Sequence, residues 1–496
     1  MVNCIDSMLP DATPGFAAFV KQLVPLLLEL YQLGQTFRRE PPTPERTCDF
    51  ETGLDRGLRG LGRQMLDREY NDIEPAAFAD CPHRMRFDGE DYKRRHKSPN
   101  LIGTLFGQIR LDRYLYEPLD GGKCIFPLER NLGIEAGLAT PALAERIGLY
   151  VAERPQRQVL DELRRDHDLN WSAASLRKVS ASLSAGLGSF REAAQVEKIR
   201  ALLAKAEQST GPYQPALAVG RDGVMVPMRD GSYREASTAT VSVSNRCGKR
   251  LGTVYLGLMP EAEQVTLSDE LTSLVTAVLQ TRSDGPLRLV YITDCGYHPT
   301  EYFNRVLQKM EDPKQPGRVL EWQWVVDFWH ACQYLTKLRE AIFGNATAGW
   351  KWFRKMRHWL KHRKQGVTHV LRSASQHWNR ATERDAARWK SFRKGYGYLR
   401  KHARRMAYSR YRRRGLPIGS GVTEAACKTV FTQRLKQSGM RWETVGGQVV
   451  VTLRVVKVSG IWDEACRLYQ RSKRLPEAVE SGSYQGRRRE ELKMAA

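Results

Sequence analysis

Hydrophobic positions change their spacing several times along this chain, and each change predicts a new kind of element. Near the N-terminus FAAFVKQLVPLLLELYQL carries apolar residues at amphipathic-helix spacing, and a second helix is predicted from about Glu45 to Glu69. The basic stretch CPHRMRFDGEDYKRRHKSPN reads as a loop-like connector. In TLFGQIRLDRYLYEPL the spacing drops to two, the period of a half-buried strand, and GGKCIFPLE follows after a Gly-Gly turn. Between Thr140 and Leu187 helical spacing returns in three pieces: PALAERIGLYVAE, PQRQVLDELRRDHD and SAASLRKVSASLSAGL. The link DLNWS before the third offers Asn170 or Ser172 as its cap. Short helices joined by tight turns suit a helix-turn-helix facing a DNA major groove, or an ordinary helical hairpin.

From 215 to 345 the pattern changes again. PALAVGRDGVMVPM, EASTATVSVS and GKRLGTVYLGLM read as consecutive strands, with turns at Asp230-Gly231 and Cys247-Gly248. A helix SDELTSLVTAVLQTR, a buried strand LRLVYIT, a helix after Pro299, a strand EWQWVVD and a helix from His330 follow. Three antiparallel strands followed by alternating helix and strand predict an α/β fold with a mixed sheet. That order is the one used by ribonuclease H-like nucleases. The expected division is a helical N-terminal region over 1–100, a small β-rich segment over 101–138 and a helix-turn-helix-like DNA-binding region over 139–210. The mixed-sheet α/β domain is expected over 211–345 and 416–465, interrupted by a basic helical insertion over 346–415, with a disordered tail over 466–496.

Charge sharpens this picture. The chain of 496 residues carries a net charge of +24, which favours a polyanionic partner, nucleic acid before membrane. Between Lys351 and Arg414 there are 22 lysines and arginines against two acids, Glu383 and Asp385, so one segment supplies +20 of the excess. A merely solvated helical face would mix the signs. Trp350, Trp352, Trp359, Trp378 and Trp389 interleave with these cations, either to stack on unpaired bases or to form the core of the insertion. The candidate phosphate contacts are Arg393, Lys394, Arg404, Arg405, Arg412, Arg413 and Arg414, then Arg434 and Lys436, with Arg441-Trp442 beyond them. No apolar stretch reaches membrane-spanning length and no secretion signal is legible, so a cytosolic, nucleoid-associated protein is expected. Nine scattered cysteines without a C-x-x-C pair argue against a disulfide scaffold and a cysteine zinc finger.

Four acids could carry chemistry. Asp222 interrupts a hydrophobic strand, where a carboxylate is costly unless paired, exposed or bound to a cation. Asp294 and Asp327 end the next two strands, where open α/β sheets place their ligands, and Glu424 opens a late helix after Gly419-Ser420-Gly421. Each alone has a structural explanation as a bulge residue, a helix cap or a first-turn acid. Together, two strand acids and one on a helix returning to the sheet suit two divalent metals about 3.5 to 4 Å apart, which activate a nucleophile and steady the leaving oxygen at phosphorus. Magnesium suits such oxygen ligands.

The motifs DGVMV, TDCG, DFWHACQYL, PIGSGVTEAACK and QRLKQSGMRW closely resemble the DDE transposases of bacterial insertion sequences, the ISKra group in particular, over about 105 to 465. The resemblance implies a ribonuclease H-like catalytic domain with an inserted helical region. It also implies Asp222, Asp294 and Glu424 as catalytic, metal-binding acids for two Mg2+ ions, with Mn2+ as a substitute. Asp327-Phe-Trp-His330 matches a signature that follows the second acid in related transposases, which makes Asp327 and His330 auxiliary; Asp327 as the second ligand, with Asp294 a cap, stays open. Members of that group often carry paired cysteines resembling a zinc ribbon. This chain offers only Cys81 and Cys124 with His83, so zinc is not expected. The activity implied is recognition of terminal inverted repeats, cutting at the ends and joining to target DNA by a homodimer or larger assembly. A catalytically inactive or domesticated DNA-binding protein and a structure-selective nuclease are the alternatives.

Overall fold

The computed structural model describes residues 14–75, 77–377 and 385–479. The chain divides into two units, one over 1–183 and 469–496, the other over 184–468. In the first, α1 (Pro14–Arg38) packs on α2 (Pro44–Asn71), which starts at a Thr43 cap accepting from the Arg46 N–H at 3.2 Å. The basic segment expected to be a loop is instead strand: β1 (Arg84–Phe87) and β2 (Glu90–Thr104) form a hairpin, extended by β3 (Gly107–Pro118). Its turn is Asp88-Gly89, both at positive φ (49° and 85°), the two-residue geometry that matches the twist of paired strands. Among the described residues of the 1–100 region the α-helices therefore end at Asn71. GGKCIFPLE gives no strand, only a bridge from Tyr116 to Ile125, before α3 (Pro127–Asn131).

The three helices predicted next are α4 (Pro141–Glu153), α5 (Gln156–His167) and α6 (Ala173–Glu207). Asp168 closes α5 in the left-handed conformation, and Ser172 rather than Asn170 caps α6, its Oγ accepting from the Ser175 N–H at 3.1 Å. The third helix runs 20 residues beyond Leu187, its expected end, into the second unit.

There, β4 (Ala216–Pro227), β5 (Tyr233–Ser244) and β6 (Arg250–Leu258) pair antiparallel, turned at Gly231 and Gly248. After α7 (Val265–Thr281), β7 (Arg288–Thr293) lies parallel to β4. Then come α8 (Tyr297–Arg305), an unforeseen small hairpin of β8 (Glu311–Asp312) and β9 (Gln315–Val319), and β10 (Trp322–Val326), parallel to β7. The sheet order is β10-β7-β4-β5-β6, so the expected α/β architecture with a mixed sheet is present.

Alternation sends Leu217, Val219, Leu289 and Tyr291 to one face, against α7. Ala216, Ala218, Val290 and Ile292 go to the other, against α9 (Phe328–Phe343), α10 (Thr347–His362), α11 (Gly366–Ser375), α12 (Ala386–Lys401) and α13 (Tyr408–Arg413). The basic insertion is thus a wall of the core as well as a charged surface. Fully buried Phe392, Leu399, Tyr408 and Tyr411 stand in that wall, and each such side chain contributes about 1.5–3 kcal/mol. The chain then returns over the sheet as α14 (Gly421–Ala426), a π-helical turn over Cys427–Thr432, and α15 (Gln433–Leu435). It ends in α16 (Thr444–Val458) and α17 (Trp462–Ser472). The tail expected over 466–496 is therefore corrected: 466–472 is helix and Glu477–Ala478 pairs with β1, while 480–496 lie outside the described residues. Amphipathic spacing in WDEACRLYQ places Trp462, Ala465 and Cys466 in the interior.

Candidate active site

The register of β4 and β7 sets the site. Their parallel pairing stops at Gly220 opposite Ile292, and β4 continues alone alongside β5. Two residues further along each strand bring Asp222 and Asp294 to the same level. The same register puts Asp327 beside Asp294, because Val326 pairs with Thr293 and the Asp327 N–H bonds the Thr293 carbonyl at 2.9 Å. Three of the four sequence acids therefore stand level on adjacent strands, which lie about 5 Å apart.

Glu424 comes to them on α14, seated on β4 at Gly220. A Cβ at Gly220 would stand 2.1 Å from Thr423 Oγ1, so only glycine admits this approach. Thr423 also bonds the Thr240 hydroxyl at 2.8 Å, locking the helix to β5. Cys427, in the π turn that follows, donates its thiol to the Gly223 carbonyl at 3.8 Å, and burial and the neighbouring Asp222 keep it protonated.

Asp327 is fully buried and both of its oxygens are engaged. Oδ1 accepts from the His330 N–H at 2.6 Å, capping α9, and Oδ2 accepts from the Ser420 N–H of the Gly-Ser-Gly turn. The cap explains why α9 starts at Phe328, ahead of the expected His330. Asp294 is different. Its Oδ1 accepts from the Gly296 N–H at 2.8 Å, and among the described residues its other oxygen accepts no hydrogen bond. Cys295 behind it adopts φ 62°, turning the chain sharply away from the strand.

Asp222, Asp294 and Glu424 form no ion pair among the described residues. Burial pushes the Asp222 carboxyl up to about 6; the Gly223 N–H and Cys427 thiol counteract this, and the charges of Asp294 and Glu424 add to it. Burial and Asp327 raise Glu424, while His330 draws it down. His330 thus lies within electrostatic reach of Glu424, its ring packed edge-on to Tyr334 and Tyr398.

Among the described residues no three His, Cys, Asp or Glu side chains are gathered closely enough to hold a metal ion. The donor chemistry nevertheless fits a hard divalent cation: carboxylate oxygens that repel one another and form no ion pair among the described residues. Asp222, Asp294 and Glu424 would hold it, and the Glu424 side chain is exposed and unrestrained by any hydrogen bond of its own among the described residues.

The surrounding shell was missed by sequence reading. Tyr398 donates to the Asp294 carbonyl at 2.7 Å and stacks on Tyr334 at 3.8 Å. His402 sits 4.7 Å from the Tyr398 ring, and burial with the nearby Arg405 and Lys401 cations pushes it down to about 4. The spacing of Tyr398 and His402, four apart on a helical stretch, was the only available signal. Trp329 is exposed beside Gly419, with the Arg357 guanidinium 4.9 Å over its ring.

Of the expected phosphate contacts, Arg393, Lys394, Arg404, Arg412, Arg413 and Lys436 are exposed and Arg414 is half-buried. Arg405 lies flat on Trp324 at 3.5 Å. Arg434 is corrected: it is buried, 5.4 Å from the Trp442 ring, and its apolar surroundings push its guanidinium down to about 10. Among the tryptophans, Trp352 is core, Trp359 and Trp389 pack against it, Trp350 is exposed under Arg339, and Trp378 lies outside the described residues. Cys81 is buried beside Tyr114 and Arg94, while His83 is exposed. Among the described residues no single helix is long and apolar enough to cross a membrane. No protein-family model matches the chain, and no curated protein matches it.

Proposed function

We propose that this chain is a DDE transposase of the bacterial insertion-sequence type, similar to the ISKra group, which binds terminal inverted repeats and carries out metal-dependent DNA cleavage and strand transfer. The observation that carries the reading is a set of acids at one end of a mixed sheet that form no ion pair among the described residues, Asp222 and Asp294 level on adjacent strands with Glu424 delivered by a helix docked on Gly220. The strand order supports it as well. Numbered within the unit it is 3-2-1-4-5 with strand 2 antiparallel, the arrangement of ribonuclease H-like domains.

In this reading Asp222, Asp294 and Glu424 would hold two Mg2+ ions, or Mn2+, which would supply Lewis acidity and a lowered pKa for the attacking water or 3′-hydroxyl. The protein's own residues position the strand. Asp327 ties α9 to the Gly-Ser-Gly turn and so fixes where the helix carrying Glu424 begins, His330 draws the Glu424 carboxyl down, and the exposed cations of α12 hold phosphates. Trp329 offers a stacking face at the mouth of the site.

The test is Mg2+-dependent cutting of a duplex carrying an inverted-repeat end, comparing wild type with Asp222→Ala, Asp294→Ala, Asp327→Ala and Glu424→Ala, each checked for retained DNA binding. Loss of cutting with binding kept for Asp222, Asp294 and Glu424 is expected. A wild type that binds but never cuts would reduce the function to DNA binding, and cutting without joining would make it a nuclease.

A further inference from the structure

The opposite end of the same sheet carries the reverse charge. A cleft of about 760 Å³ opens where β7 and β10 begin, lined by Arg288, Trp322, Gln323 and Arg414 among others. Two of its cations are neutralised: Arg282 pairs with Asp312 at 3.0 Å and Lys314 with Asp284 at 2.9 Å. Arg318 donates to Gln315 at 2.7 Å and forms no ion pair among the described residues. Arg288 and Arg414 form no ion pair among the described residues and repel each other, with Arg410 adding to the repulsion and Glu321 relieving part of it. The buried Trp322 Nε1 and Arg282 Nε in the cleft wall have no acceptor among the described residues. With Asp284 and Asp312 paired, Arg288, Arg318 and Arg414 outnumber the remaining acid, Glu321, in this hollow, a balance that suits an anion.

A second hollow of about 340 Å³ lies against α13 and is lined by Tyr213, His362, Lys364, Ser409, Arg412 and Arg413, with no acid. Arg412 donates to His362 Nδ1 at 2.7 Å, so that ring nitrogen is an acceptor. Arg413 borders one hollow and Arg414, the next residue, the other. A single small anion would occupy one of them, whereas a run of backbone phosphates can follow both.

We propose that these two hollows form a second phosphate-binding surface that grips the backbone of duplex DNA away from the reacting bond. This rests on the reading of the chain as a DNA strand-transfer enzyme and adds a remote clamp to it. Arg288 begins the strand that Asp294 follows, six residues on, so the clamp and the carboxylates are about 20 Å apart at roughly 3.3 Å per residue. A duplex spanning both extends at least about six base pairs past the site of chemistry, at roughly 3.4 Å per pair.

The experiment measures affinity for a duplex of about two helical turns, roughly 20 base pairs, across about 50 to 200 mM salt. Wild type is compared with the Arg288→Gln/Arg414→Gln protein and with Arg288→Lys/Arg414→Lys. Losing two phosphate contacts should lower the slope of log K against log salt by about 1.8 in the glutamine protein, and the lysine protein should keep the wild-type slope. An unchanged slope in the glutamine protein, or an equal loss in the lysine protein, overturns the proposal. Calorimetry with inorganic phosphate tests the other source of the same chemistry: wild-type binding lost in the glutamine protein, with the DNA slope unchanged, would assign a free-anion site instead. If wild type cuts a repeat end and only the slope result fails, the clamp alone falls. If wild type neither binds nor cuts duplex, the transposase reading falls too.

Discussion

Asp294 and Asp327 end neighbouring parallel strands, one residue past a matched pair, and each precedes a helix. Their surroundings assign them different work. Asp327 is fully buried, with both oxygens satisfied by backbone N–H groups, one from its own helix and one from a turn 93 residues away. Asp294 gives one oxygen to the Gly296 N–H, its other oxygen accepts no hydrogen bond among the described residues, and its charge helps to raise Asp222. A buried carboxylate with two backbone donors is a structural clamp, because freeing it would orphan both N–H groups. A half-buried carboxylate with a free oxygen and acidic neighbours is suited to a cation. Under the proposed function, this difference favours Asp294 for the chemistry and Asp327 for holding the scaffold, from which Asp327 also raises Glu424.

The strongest way to break this assignment is to neutralise each acid while keeping its shape. Asp294→Asn retains an acceptor for Gly296 and should lower Mg2+-dependent cutting by at least about 100–1,000-fold, with stability changed by no more than about 0.5 kcal/mol. Equal losses of cutting from Asp294→Asn and Asp327→Asn, at matched folded fraction, would abolish the distinction. Stability should show the opposite ranking. Asp327→Ala removes the α9 cap and leaves the Ser420 N–H unpaired, about 2–3 kcal/mol together, read from urea denaturation. A smaller effect concerns the third acid: Gly220→Ala drives a methyl into Thr423, which should cost about 1–3 kcal/mol and lower cutting by displacing Glu424, without altering duplex affinity.

The smallest effect sharpens the Asp294 side. His402 is held down to about 4, from an ordinary 6.5, so between those values the unfolded chain binds the extra proton. Stability carried by the neutral imidazole is fully present above about pH 6.5 and is lost as pH falls toward 4. His402→Gln should flatten that fall in melting temperature. An unaltered acid limb would mean that the ring beneath Tyr398 titrates freely.

Much of the second unit was legible because its strands are fully or half buried on one side, and burial imposes a period that a sequence displays. Asp222, Asp294 and Asp327 stood out as carboxylates in or at the ends of such runs, where an unpaired charge is costly. The hairpin over 84–104 was obscured by its own arginines and lysines. β1 and β2 are interior strands that turn Arg86, Arg95 and Lys97 to solvent, so charge density masked the strand period and the Asp88-Gly89 turn. Arg434 misled for the converse reason: a guanidinium in a basic helix looks solvent-facing until an aromatic ring, here Trp442, covers it.

By itself, then, the sequence determined the α/β alternation, the excess of positive charge and the four acids worth considering, since hydrophobic period and charge are properties of a few adjacent residues. Only the tertiary structure decided which acids share a level, which one is tied up by Ser420, that the basic insertion doubles as a core layer, and that Arg288 and Arg414 meet at the far end of the sheet. Each of those facts depends on a hydrogen bond, a register or a repulsion between residues distant in the chain, and such pairings come into existence only when the strands align.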